Sequence, residues 1–154
     1  MTNFRQLSQD EYDDVWDMFF DLFQFKPSIK QFPGIMSQKQ TLKFDIQSCF
    51  SQNYSLGKLE EFAIDLFNNI SNPGDRFYAL DWQHVCYDFD SRKQMDRDEF
   101  DEWIVPILPN GDYYIFLTKD FKNVWFGHPW EKTITLVGSD IVNQAEKVKT
   151  GFPY

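Results

Sequence analysis

With two histidines and two cysteines in 154 residues, the chain has few side chains that could ligate a metal or attack a substrate. His84-Val85-Cys86 would place an imidazole and a thiol on one face of a strand, a pairing that can bind metal. A structural zinc site needs four clustered ligands, and no second Cys or His pair stands at ligand spacing, so no metal is expected. His128 lies in Phe126-Gly127-His128-Pro129-Trp130, a loop-like setting that suits a hydrogen-bonded turn residue better than a general base. Cys49 and Cys86 have apolar neighbours, Phe50 and Val85, which favours buried reduced thiols over a disulfide. Asp88, Asp90 and Glu99 fall at positions 1, 3 and 12 of a calcium loop, but Arg92 and Lys93 occupy positions 5 and 6. Two cations inside the cage exclude that match. No Gly-x-Ser-x-Gly elbow, phosphate loop or Gly-x-Gly-x-x-Gly turn is present. Asp81 and Asp88 could share acid–base work, although sequence gives no separation for them. The expectation is a protein that is not an enzyme and needs no cofactor.

Carboxylates are the more distinctive feature. Asp10, Asp13, Asp14, Asp17 and Asp21 fall on one face of a helical segment, and no Lys or Arg lies between residues 6 and 25. Like charges four residues apart, such as Asp13 and Asp17, each cost roughly 0.2–0.5 kcal/mol. Only the first three gain from the positive end of the helix. A second acidic run, Asp96, Asp98, Glu99, Asp101 and Glu102, lies in the most polar stretch. Either set is a solvated face or a surface for a basic partner.

The whole chain carries 15 Lys and Arg against 24 Asp and Glu, a net charge of −9. That balance opposes sequence-independent binding to nucleic acid and to anionic membranes, both of which rely on cations. No apolar run approaches the roughly 20 residues of a membrane span. The first residues are polar and acidic, unlike a secretory signal, so the expected location is the cytoplasm.

The elements that must position these groups read as one domain, 1–154. Ser8 and Glu11 have capping-box spacing, and Tyr12, Val15, Trp16, Phe19, Leu22 and Phe23 recur at helical spacing until Lys26-Pro27. Residues 27–40 read as a loop, Thr41–Ile46 as a half-buried strand, and Lys58–Ile70 as a second amphipathic helix. After the Asn72-Pro73-Gly74-Asp75 turn, Arg76–Phe89 reads as a long or broken strand. Asp90–Asp101 reads as a loop and Trp103–Leu108 as a strand or an irregular approach to the next turn. Pro109-Asn110-Gly111-Asp112 is a turn signal before Tyr113–Thr118, and Val124–Gly127 completes a hairpin. Thr133–Val137 supplies a further strand, and Ser139 is expected to cap a final helix to about Val148. The class is α+β: an antiparallel sheet with an N-terminal amphipathic helix and further helices packed mostly on one side. Aromatic residues are 19% of the chain, enough to build its core. Trp82 and Trp130 are expected to be substantially buried, with His84 and His128 hydrogen-bonded nearby.

Four segments carry a resemblance: Phe25-Lys26-Pro27-Ser28, Ala79-Leu80-Asp81-Trp82-Gln83-His84, Pro109-Asn110-Gly111-Asp112-Tyr113-Tyr114-Ile115-Phe116, and Phe126-Gly127-His128-Pro129-Trp130-Glu131. They resemble a bacterial family catalogued as a domain of unknown function. That family is associated with immunity proteins of LXG-type polymorphic toxins in Bacillus, the YokJ and YxxD type. The likeness spans nearly the whole chain and brings no catalytic residues. It implies an antitoxin that blocks a cognate, nuclease-type toxin with a basic surface, which accords with an acidic chain lacking catalytic motifs. The alternative is a small-molecule-binding protein or enzyme with one pocket around Asp81, His84 and His128.

Overall fold

The computed structural model describes residues 3–154; Met1 and Thr2 of the expected domain lie outside the described residues. The elements run β1 (Phe4–Gln6), α1 (Gln9–Phe23), β2 (Thr41–Asp45), α2 (Leu56–Asn69), β3 (Phe77–Asp81), β4 (Tyr87–Phe89), β5 (Tyr114–Thr118), β6 (Val124–His128), β7 (Thr133–Val137) and α3 (Ser139–Val148). A seven-stranded sheet has the order β1-β4-β3-β5-β6-β7-β2, and every neighbouring pair is antiparallel. The fold is α+β, as the patterning implies.

Side chains alternate between two cores because strand residues point to opposite faces. Phe77, Phe89, Phe116, Trp125, Ile134 and Leu136 meet α2 and α3 on one face. Leu80, Ile115, Leu117, Phe126 and Val137 meet α1 on the other. Two of the three helices thus share a face, and α1 lies across the sheet from them. All five residues of β6 and of β7 are buried, the polar His128, Thr133 and Thr135 among them, because both strands are covered on both faces.

The Ser8–Glu11 capping box forms as expected, with Ser8 Oγ accepting from Glu11 N and Glu11 Oε1 accepting from Ser8 N. α1 ends at Phe23, not at Lys26-Pro27: Gln24 adopts φ 48° and its N–H returns to the Phe20 carbonyl. Arg76–Phe89 is broken into β3 and β4, joined by a turn at residues 82–86. Trp103–Leu108 takes the irregular option. Trp103, Val105 and Ile107 are buried alternately, as in a strand, yet only Arg97 and Trp103 form a bridge. Pro106 has no N–H to offer a ladder. The edge strand β1, three residues long, was invisible to periodicity; it exists because Phe4–Gln6 pair with Tyr87–Phe89.

Ser139 does not cap α3; Gly138 is its N-cap and makes no side-chain bond. The cap is remote in sequence. Asn123 Oδ1 accepts from Ile141 N at 3.0 Å, so the β5–β6 hairpin supplies what Ser139 was expected to provide.

Candidate functional site

Asp10, Asp13, Asp14, Asp17 and Asp21 are all exposed along α1. Among the described residues none of them forms an ion pair; Asp13 alone accepts a side-chain bond, from Gln9 Nε2 at 2.9 Å. Three large apolar side chains share the solvent side of α1: Met18, Phe20 and Leu22, each more than 40% exposed. Repelling carboxylates and exposed hydrophobes on one helix is a mixed surface that costs free energy in the isolated protein.

The second acidic run divides. Asp96 Oδ2 accepts from Asn3 N (2.7 Å) and Phe4 N (3.3 Å), which ties the loop to β1. Asp98 Oδ1 accepts from Phe100 N and Glu102 N, closing the loop on itself. Arg97 pairs with the buried Glu60 of α2 at 3.0 Å. Asp96 and Asp98 therefore serve the fold, whereas Glu99 and Asp101 are exposed carboxylates and Glu102 is half-buried.

A different set meets at the end of β3. The turn after Asp81 folds back through Gln83 at φ 66°, and His84 N–H donates to the Asp81 carbonyl at 3.1 Å. The β3–β5 register sets Asp81 opposite Tyr114, so the 109–112 turn arrives beside it. His84 Nδ1 lies 2.9 Å from Asp81 Oδ1 and 3.1 Å from Asp112 Oδ2. Burial pushes the Asp81 carboxyl up to about 6; the His84 hydrogen bond opposes this and the neighbouring Asp112 reinforces it. The hydrogen bond to Asp81 raises His84 above its ordinary value. Asp112 is the member that sequence reasoning treated only as a turn residue. Asp81 and His84 border an open cleft of about 670 Å³ lined also by Gln6, Gln9, Tyr12 and Cys86. Burial pushes the Cys86 thiol up to about 11, so it is no nucleophile at neutral pH.

His128 belongs elsewhere and does not line this cleft. It is fully buried, with Phe32 and Tyr113 at ring-centroid distances of 4.7 and 4.9 Å. Its Nδ1 accepts from Trp130 N (3.2 Å) and Glu131 N (3.1 Å), which sets the proton on Nε2. Trp130 itself is 49% exposed and Trp82 half-buried, so the expected burial of Trp130 is corrected: the turn buries His128 and turns the indole outward. The four segments quoted above converge around Phe25, whose ring lies 5.2 Å from Tyr113, 5.7 Å from Phe126 and 6.1 Å from Trp82. The Tyr113 hydroxyl accepts from Ser28 N and donates to the Ser28 carbonyl. Those segments build a scaffold.

Burial lowers His128 to about 4, below the value of 6.5 for an unconstrained imidazole. Between these values the unfolded chain binds the extra proton, so stability rises with pH and is lost as pH falls through the window. The expected loss at pH 4 relative to pH 7 is about 3 kcal/mol from this group. His128→Asn keeps an acceptor for the two N–H groups and cannot titrate. Urea unfolding at both pH values should show a smaller acid loss in the variant; equal losses would remove His128 as the cause.

Residues 6–142 match the model of a family described as "Protein of unknown function (DUF2716)". The chain belongs to that family. It is 36% identical over 149 residues to the uncharacterized protein YxiI of Bacillus subtilis (strain 168), covering 92% of this chain and 91% of that protein. No solved structure matches. The DUF2716 match takes in the acidic helix, the Asp81–Asp112 cluster and the aromatic scaffold alike. Among the described residues no helix is long and apolar enough to cross a membrane.

Proposed function

We propose that this DUF2716 protein is an immunity protein that binds a cognate toxin with a basic surface and blocks its active site in the cytoplasm. The observation that carries this reading is the α1 face: five exposed Asp side chains without ion pairs among the described residues, beside exposed Met18, Phe20 and Leu22. A basic, partly apolar channel such as that of a nuclease relieves the repulsion and covers the hydrophobes. Inhibition of this kind requires occupation alone, so the inhibitor is not an enzyme.

Neutralising Asp13, Asp17 and Asp21 together to Asn is expected to slow association with the toxin about tenfold or more at low salt, with little change at high salt. The isolated variant should be no less stable, because like-charge repulsion is removed. Glu99→Gln with Asp101→Asn is the matching change in the acidic loop and spares Asp96 and Asp98. The measurement is the association rate across a salt series with the toxin domain of the LXG-type protein that this reading requires as the cognate partner. Unchanged rates in the helix variant would reduce the stripe to a solvated face. Failure of the wild type to restore growth when co-expressed with that toxin would overturn the immunity reading.

A further inference from the structure

Asp81, His84 and Asp112 bring three donor atoms within 4.8 Å of one another, and Asp81 and His84 line the cleft. The His84 Nδ1 is 2.9 Å from one carboxylate oxygen and 3.1 Å from the other. Ligand atoms held about 2.1 Å from a metal ion and at right angles to each other are about 3 Å apart, the edge of a coordination octahedron. Both spacings fit that edge, with the His84 nitrogen at the shared corner. We propose that Asp81, His84 and Asp112 form a binding site for a first-row divalent transition ion, Zn²⁺ or Mn²⁺, which takes the place of the Nδ1 proton of His84.

The donor set supports that class. One imidazole and two carboxylates suit borderline transition ions better than Mg²⁺ or Ca²⁺, which prefer oxygen alone. Two independent turns deliver the donors, residues 81–84 after β3 and residues 109–112 before β5, and Trp82 N–H to the Tyr113 carbonyl (3.3 Å) clamps one to the other. Tyr113 N–H donates to Asp112 Oδ1 at 2.8 Å, leaving Oδ2 directed at His84. Such bonds orient a ligating carboxylate before the ion arrives. Cys86 stays outside the set: its Sγ lies 3.5 Å from the carbonyls of Asp81 and His84. Three protein ligands leave the remaining positions open toward the cleft, where a small anionic or carbonyl-bearing ligand would complete the coordination. The chain's net charge of −9 draws cations toward it.

The site stands apart from the toxin-binding reading, which is tested in chelator on metal-free protein. The experiment is calorimetric titration of tag-free protein with ZnCl₂ and, separately, MnCl₂, with MgCl₂ as control. Expected is one ion per chain with Kd below about 100 µM for at least one of the two. His84→Ala and Asp112→Asn are each expected to weaken it tenfold or more. His84 is exposed and Asp112 half-buried in a turn, and circular dichroism verifies that the variants fold. Asp17→Asn should leave binding unchanged. Weaker binding of both ions, a loss under tenfold in either site variant, or an equal loss in Asp17→Asn would overturn the proposal.

Discussion

Gly138→Ala is expected to cost at least about 4 kcal/mol of folding stability. Gly138 joins β7 to α3 at φ 115°, a backbone conformation that side chains rarely adopt. An added Cβ would stand 2.0 Å from the Lys122 carbonyl oxygen and 2.8 Å from Asn123 Oδ1. Both belong to the β5–β6 turn, and Asn123 is the residue that caps α3. Relieving the clash means moving the turn, which breaks the cap. Asn123→Ala leaves the turn in place but removes the cap and the Asn123 Nδ2 bond to Asp140 Oδ2, and should cost about 1–2 kcal/mol. Ser139→Ala should fall within about 0.5 kcal/mol of the parent, since Ser139 is exposed and caps nothing. Urea midpoints of the three variants test this order. A Gly138→Ala loss no larger than that of Asn123→Ala would show that the turn yields easily.

Asp88→Ala is expected to cost about 3 kcal/mol, read from the same unfolding measurement. The Asp88 carboxylate on β4 is nearly fully buried and gathers three cations from three other segments. Arg5 reaches it from β1 at 3.1 Å, Arg76 from the start of β3, and Lys119 from the end of β5 at 2.8 Å. Burial works against its ionisation, and the bonds from Lys119, Arg76 and Arg5 outweigh burial, holding its pKa below the ordinary carboxylate value. Lys119 also lies 4.2 Å from the centre of the Tyr78 ring. Removing the carboxylate takes a partner from all three positive charges; Arg5 keeps Glu11 and Arg76 keeps Asp90, while Lys119 keeps no ion pair among the described residues. Arg76→Met with Asp88→Ala should recover part of the loss, because one of those charges leaves with its partner. A loss under about 1 kcal/mol in Asp88→Ala would mean that all three cations find water without cost.

Local physics made several elements legible. The capping box and apolar spacing of α1, the α2 stripe, the turn at 72–75 and the strands of the 113–137 region follow from period and turn chemistry within a few residues of sequence. The acidic face of α1 was equally readable, since a helix maps spacing directly onto a surface. Helix ends were less so: α1 stops on a left-handed Gln24, a conformation that spacing does not announce.

What the sequence by itself determined is therefore the class of the fold, its acidic surface and its lack of familiar catalytic motifs. Tertiary structure decided which distant residues meet. The pairing of β1 with β4, the capping of α3 by Asn123 and the gathering of cations around Asp88 each join segments that carry no mark of one another. The same holds for Asp81, His84 and Asp112. Spacing places only His84 and Cys86, two residues apart, on one strand face, whereas the packing buries the thiol against carbonyls and brings Asp112 in by the β3–β5 register. Period and propensity act over a few residues, whereas a site is set by strand register and sheet order, which depend on the whole core closing at once.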